Sequence, residues 1–339
     1  FKEIAKNISK DVELEILAIG NGRTPSNEIF NFKINILKPT SIINQYKTII
    51  PFTKKFDIIH YFPGSGYEIL PLFNRKSKFV FHFISVSVSG NNFYDFFVNT
   101  IKKIQSTFAD MALYTDKELY HNIKPVFKIK TKILPVGYAS DLFFPCSKPK
   151  FSDKKMIIYH GSCHPNRKIE RMIEVLNLLE KKFYLLIIGK VDKKYMVKLN
   201  LLIKKLNCTD RIIFKEMPQD EIREYIKNAY LCFSYVPNID CYQDQFVLKN
   251  IEYLACHRPV ITTSTRYNKY FQTEIGKKNI LLCEDSIEIM AEKINSSEYF
   301  VNQFYENIDL KNLNLKLIKY SNEFFITKNL YSYYRELIQ

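Results

Sequence analysis

The chain has 339 residues, 46% hydrophobic and 25% charged, with only 9 glycines and 13 prolines. That length suits two domains of roughly 100–200 residues each, and the composition excludes a mainly disordered, collagen-like or low-complexity chain. The net charge is +15, from 50 Lys and Arg against 35 Asp and Glu. A basic balance attracts phosphates, whether on nucleic acid, anionic lipid or a nucleotide-linked substrate. No RNP, helix-turn-helix or zinc-finger pattern accompanies it, so no nucleic-acid partner is expected. No apolar run reaches the roughly 18–20 residues of a membrane span, and no signal peptide is expected. The 7 cysteines include no CxxC spacing. They read as reduced, mostly buried thiols of a cytoplasmic protein rather than a disulfide framework or a zinc site.

FKEIAKNISK reads as a helix and ELEILAI, centred on 14–18, as a strand. A doubly wound half normally begins with a strand, so a first strand is expected outside this numbering. FDIIHYF (56–62) and KFVFHFISVSV (78–88) follow as strands. The stretch 92–108 sets Phe93, Phe97, Ile101, Ile104 and Phe108 at helical spacing beside Lys102 and Lys103. It reads as a core helix, with a basic amphipathic helix on an anionic membrane as the alternative. MALYT (111–115) and KTKILPVG (130–137) close the first half. PCSKPKFSDKK (145–155) lacks apolar periodicity and is the linker candidate.

Alternation then resumes. Strands are expected at 155–161, 183–189, 211–214, 230–236 and 259–263. Helices are expected at 167–181, 195–207, 219–229 and 247–257. Short apolar runs between helices mark buried parallel strands in βαβ units. Two such halves place the ligand site in a cleft between them, at strand C-terminal ends.

The informative constellation is DQFVLKNIE, in which Asp244 precedes a helix and Glu252 lies within it. Carboxylates accept hydrogen bonds from sugar and ribose hydroxyls. The helix runs on as EYLACHRPVITT into a strand beginning near Pro259. With Glu252, Tyr253, Leu254, Ala255, Pro259, Val260 and Ile261 in matching places, the sequence resembles glycosyltransferase family 4, of the glycogen-synthase-like, group 1 type. YHGSCHPNRKIERMI (159–173), LLIIG (185–189), RIIFKEMPQDEIREYI (211–226), ADMALYTDKEL (109–119), ILPVGYASDLFFP (133–145) and SNEFFITKNLYSYYREL (321–337) extend the resemblance in order. The departures are Asp244 for the usual Glu, His257 and Glu216 where Gly is typical, and Val136 and Ala139 around Gly137.

The resemblance implies an α/β chain of the GT-B fold, two Rossmann-like domains whose parallel sheets face a central cleft. Residues 1–146 would form the acceptor-side domain and 147–310 the nucleotide-sugar domain. Residues 311–339 would be a helix returning to the first. Gly161, Arg167, Lys168, Gly189, Met217, Lys249 and Glu252 would bind the donor, with Arg167 and Lys168 on the diphosphate and Glu252 on the ribose. Asp244 would contact the transferred sugar. The family's acceptor-domain histidine aligns with Ile84, and His82, two residues earlier on the same strand face, is the substitute, with His60 on the neighbouring strand. Both are equally readable as structural histidines. His160 and His164 have i,i+4 spacing but lack the helical HExxH context, so no metal is expected.

The expected activity is retaining, metal-independent sugar transfer from a nucleotide-diphospho-sugar to a glycan or lipid-linked acceptor, with no further cofactor. The setting would be cytoplasmic cell-envelope polysaccharide synthesis, with the inner membrane face as one location. A non-catalytic GT-B paralogue and a sugar-nucleotide epimerase are the alternatives.

Overall fold

The computed structural model describes residues 13–19, 33–37, 41–62, 68–84, 92–307, 309–322 and 327–339. The expected N-terminal helix lies outside them. The chain divides into two units, Phe1–Gly137 with Tyr320–Gln339, and Tyr138–Lys319.

In the first unit β1 (Glu15–Ile19) and β2 (Lys33–Leu37) pair in parallel. Then come α1 (Ile42–Thr53), β3 (Ile58–Tyr61), α2 (Leu70–Phe73), β4 (Lys78–Phe83), α3 (Asn92–Gln105), β5 (Met111–Tyr114), α4 (Lys117–Ile123) and β6 (Lys130–Ile133). Strands β3, β4, β5 and β6 form one sheet in that order, with every pair parallel. Both faces of β4 are covered, which is why KFVFHF reads as a nearly continuous apolar run. Phe79, Phe81 and Phe83 join Ile49, Tyr114, Leu119 and Ile123 on one side. Val80 joins Met111, Leu113 and Leu134 on the other, under Leu330 and Leu337 of the C-terminal helix Thr327–Ile338. Each of those two leucines contributes about 1.5–3 kcal/mol by its burial.

Helix α3 departs from the core expectation. Phe93 is 80% exposed, and Phe96, Phe97 and Ile104 are also exposed, while Ile101 and Phe108 are partly covered.

The second unit runs β7 (Lys155–His160), α5 (Ile169–Leu178), β8 (Phe183–Ile188), α6 (Lys193–Lys205), β9 (Ile212–Lys215), α7 (Gln219–Ile226), β10 (Leu231–Ser234), α8 (Leu248–Ala255), β11 (Val260–Thr263), α9 (Arg266–Ile275), β12 (Ile280–Cys283), α10 (Ile287–Asn295), α11 (Glu298–Asn307) and α12 (Leu310–Ile318). Its parallel sheet has the order β12-β11-β10-β7-β8-β9. The chain builds outward from β7 to β9, then crosses to the other side of β7 and builds out again from β10. The switch point lies between β7 and β10, and in such sheets ligands bind beyond the carboxyl ends of the strands there.

The unit boundaries differ from the expected ones at 146 and 310. Residues 138–147 pack on the second unit: Phe143 stacks on His160, Arg223 donates to the Phe144 and Pro145 carbonyls, and Arg258 donates to the Ser147 carbonyl. Likewise α12 stays with the second unit because Leu313 and Leu317 are buried there, and Asn314 meets His257 at 3.1 Å. Cys163, Cys208, Cys232, Cys256 and Cys283 are buried free thiols and Cys146 is half-buried. Among the described residues no helix is long and apolar enough to cross a membrane.

Candidate functional site

The switch point gathers most of the residues expected to bind the donor. Strand β7 ends at His160, and Gly161 follows at φ +127°, a conformation that side chains rarely adopt. Gly189 follows β8, with its N–H on the Lys215 carbonyl. Next to it, residues 165–167 make a single 3-10 turn, and Lys168, left-handed at φ 49°, opens α5. The helix therefore starts after the basic pair instead of at Arg167. Lys168 is exposed and Arg167 half-buried. The Arg167 guanidinium lies over the Tyr242 ring, 4.6 Å from its centroid, and donates to Gln245 Oε1 at 3.0 Å. Stacking plus one bond holds the fork in place while leaving other N–H donors for an anion.

Helix α8 approaches from the β10 side. Lys249 and Glu252 lie three residues apart and so share a face. Lys249 Nζ sits 3.8 Å from the centroid of the Tyr159 ring. It also lies 3.6 Å from where a Cβ on Gly161 would be. Burial, then the nearby Arg167 charge, pushes the Lys249 ammonium down to about 7, against weaker opposing effects of Cys163 and Glu252. The two charges lie near enough to repel each other, and an anion beside both would relieve that repulsion.

Glu252 is 4% exposed, so it is no surface helix residue. Its Oε2 lies 2.6 Å from His160 Nε2, and its Oε1 accepts from Gln219 Nε2 at 3.3 Å. Gln219 opens α7 just past half-buried Met217, so the Met217–Gln219 segment reaches the carboxylate. The His160 N–H donates to Tyr253 Oη at 2.9 Å, docking α8 on the end of β7.

Asp244 lies in the loop before α8. Both of its carboxylate oxygens are taken by Arg266, from Nε at 2.8 Å and from Nη2. Arg266 itself begins α9, behind the N-cap Thr265.

His60 and His82 belong to the first unit. They sit diagonally on β3 and β4, with His60 Nε2 3.2 Å from His82 Nδ1. His60 Nδ1 bonds Tyr334 of the C-terminal helix. Burial, then the His82 charge, lowers His60 well below its usual range, and burial brings His82 down to about 4. Both rings are thus neutral. The two form a bonded pair, His82 buried and His60 partly buried, under the C-terminal helix, which covers the face of β4 on which His82 lies. His160 and His164, four residues apart, have separate partners. His160 is engaged by Glu252, and His164 Nδ1 accepts from the Asn166 N–H at 3.3 Å. Among the described residues no group of three or more His, Cys, Asp or Glu is placed to hold a metal ion.

Sequence reasoning passed over His160, Gln219, Gln245 and Arg266. For His160 a signal existed: a polar residue closing a buried apolar strand must find a partner. Arg266 had none, since it lies 22 residues beyond Asp244.

Comparison with known proteins agrees with this architecture. Residues 144–298 match the family model described as Glycosyl transferases group 1. A search of curated proteins finds no match. Among solved structures, Anabaena Alr3699/HepE in complex with UDP and glucose superposes with a TM-score of 0.75 at 12% identity, covering 98% of this chain and 94% of that one. A glycosyltransferase from Rickettsia africae gives 0.72 at 18% identity, covering 100% and 94%. WaaG, a glycosyltransferase involved in lipopolysaccharide biosynthesis, gives 0.69 at 14% identity, covering 97% and 93%. With the switch-point sheet of the second unit and the parallel sheet of the first, the fold is GT-B, and residues 144–298 match a Glycosyl transferases group 1 domain.

Proposed function

We propose that the chain moves a sugar, with retention and without a metal, from a nucleotide-diphospho-sugar to a glycan or lipid-linked acceptor. The observation that carries this reading is the convergence of Lys249, Arg167 and Glu252 beside Gly161 at the switch point. A diphosphate fits against two cations and a backbone without a Cβ. A carboxylate one helical turn further along suits the two ribose hydroxyls. Arg167 and Lys249 then stabilise charge as it builds on the leaving diphosphate, and the rest of the catalysis is positioning. Asp244 faces the transferred sugar with Arg266 fixing its orientation. His60 and His82 take no part, being bonded to each other and to Tyr334. The Anabaena protein was crystallised with UDP and with UDP-glucose, so uridine nucleotides are the first donors to try.

The test is a panel of nucleotide sugars with chelator present, scored by thermal shift and by release of nucleoside diphosphate. At least one donor should stabilise the protein and be turned over. Arg167→Ala should weaken nucleoside diphosphate binding by about tenfold or more, as the loss of charge-assisted bonds predicts. Asp244→Asn should lower turnover with little loss of donor affinity. A panel in which no nucleotide sugar binds or reacts would falsify the reading.

The exposed aromatic face of α3 supports a lipid-linked acceptor, consistent with cell-envelope polysaccharide synthesis at the cytoplasmic membrane face. Phe93, Phe96 and Phe97 would enter the interface of an anionic membrane, and Lys103 would meet its headgroups. Salt-sensitive co-sedimentation with anionic vesicles, lost in Phe93→Ser/Phe96→Ser, is the expected result. No binding at low salt removes the membrane from the reading.

A further inference from the structure

We infer that His160 is a positioning residue for nucleotide binding, holding the Glu252 carboxylate in the orientation that receives the ribose hydroxyls. This rests on the reading of Glu252 as the ribose carboxylate.

The contact is 2.6 Å between residues that are 5% and 4% exposed. A carboxylate that deep must be hydrogen-bonded to remain charged. His160 and Gln219 each take one of its oxygens. An ionised carboxylate offers about four lone-pair sites, so two bonds fix the rotamer and still leave acceptor sites for a diol. A lysine in place of His160 would neutralise the charge the hydroxyls need. An imidazole N–H takes only one lone pair of the carboxylate. His160 Nδ1 is buried and has no hydrogen-bond partner. A proton there would face nothing, which favours the tautomer carrying its hydrogen on Nε2, the donor the carboxylate requires.

The ring is itself held. Phe143 stacks on it at 6.1 Å between centroids, and Tyr253 meets it edge-on at 4.8 Å. The Tyr253 hydroxyl also accepts from the His160 backbone. The dyad is therefore built from the last residue of β7 and the middle of α8, the two elements that meet at the switch point. It links the strand whose next residue is Gly161 to the helix that carries Lys249.

The test compares UDP, GDP or ADP, whichever wild type binds most tightly, with its 2′,3′-dideoxy analogue, by calorimetry. Wild type should favour the ribonucleotide by about tenfold or more, the worth of hydrogen bonds to a charged group. His160→Phe keeps a ring between Phe143 and Tyr253 but removes the donor. It should bring the preference close to one while leaving affinity for the dideoxy analogue unchanged. His160→Gln, which returns an N–H near the Nε2 position, should restore most of the preference. Gln219→Leu, at an exposed residue, should show a smaller loss of the same kind and serves if the His160 variants do not fold. Equal weakening of both ligands in His160→Phe, or an unchanged preference, overturns the role of His160 while leaving Glu252 on the ribose. Wild type that binds no nucleotide, or binds both forms equally, overturns the Glu252 assignment and with it the inference.

Discussion

A Cβ placed on Gly189 would lie 2.1 Å from the carbonyl oxygen of Gly161 and 2.8 Å from Cys163 Sγ. The ends of β7 and β8 thus touch backbone to backbone at the edge of the proposed donor site. Gly189→Ala must push the Gly161 loop aside, and overpacking of this kind costs about 1–3 kcal/mol. Urea unfolding should show that loss, with weaker nucleotide binding alongside. An unchanged midpoint would mean that the loop yields freely.

Lys249 predicts a proton linkage. Its ammonium titrates at about 7 in the free protein because burial and Arg167 disfavour the charge. A bound diphosphate brings negative charge and raises that value. At pH 8 binding should therefore take up roughly one proton, and at pH 6, where the lysine is already charged, almost none. Calorimetry in buffers of different ionisation heat reads the number directly. Lys249→Met should abolish the uptake. Wild type with no uptake at pH 8 would place the lysine away from the phosphates.

The His60–His82 pair should make the first unit sensitive to acid. Both are held below the ordinary histidine value, His82 at about 4, whereas an unfolded histidine titrates near ~6.5. Between those values the unfolded chain binds more protons, so stability is lost as pH falls through that window. The urea midpoint followed from pH 7 to 4.5 should decline, and His82→Phe should make the decline shallower. Equal slopes in the two proteins would count against the pair.

His257 ends α8 in the left-handed region, at φ 54°, which accounts for a histidine standing out where glycine is typical. His257→Val should destabilise by about 1–2 kcal/mol, because a branched side chain fits that region poorly. His257→Gly should stay close to neutral, since relief of the strain is offset by the lost Asn314 bond and by the freer unfolded chain. Thermal unfolding of the two variants side by side is the check. A valine as stable as the glycine would contradict the backbone geometry.

Legibility in the sequence followed burial. In the second unit the strands at β7, β8, β9, β10 and β11 are apolar runs bounded by polar turns, and the structure places them within a residue or two of expectation. Strand β2, which opens on Lys33 and sets Asn35 between its isoleucines, has too mixed a pattern to stand out. Glu252 was legible because its helix leads into Pro259 and a buried strand. Its partner His160 lies 92 residues away in sequence, so no local pattern joins the two. The Asp244–Arg266 contact joins a loop to the start of another helix, a relationship that no periodicity encodes. The exposed phenylalanines of α3 follow helical spacing as a core helix would, so spacing alone did not separate the two environments.

The first unit takes in residues Tyr320–Gln339, which follow the whole of the second in sequence. Leu330 and Leu337 cover Val80, Met111 and Leu113, and Tyr334 caps the histidine pair. During synthesis every described strand of that unit emerges before β7 is made, yet Val80, Met111 and Leu113 lack their Leu330 and Leu337 cover until the C-terminal helix arrives. The second unit, Tyr138–Lys319, is continuous in sequence and can close first. The unit made first is therefore the last to finish folding, and in the interval its uncovered sheet face is the surface a chaperone would meet.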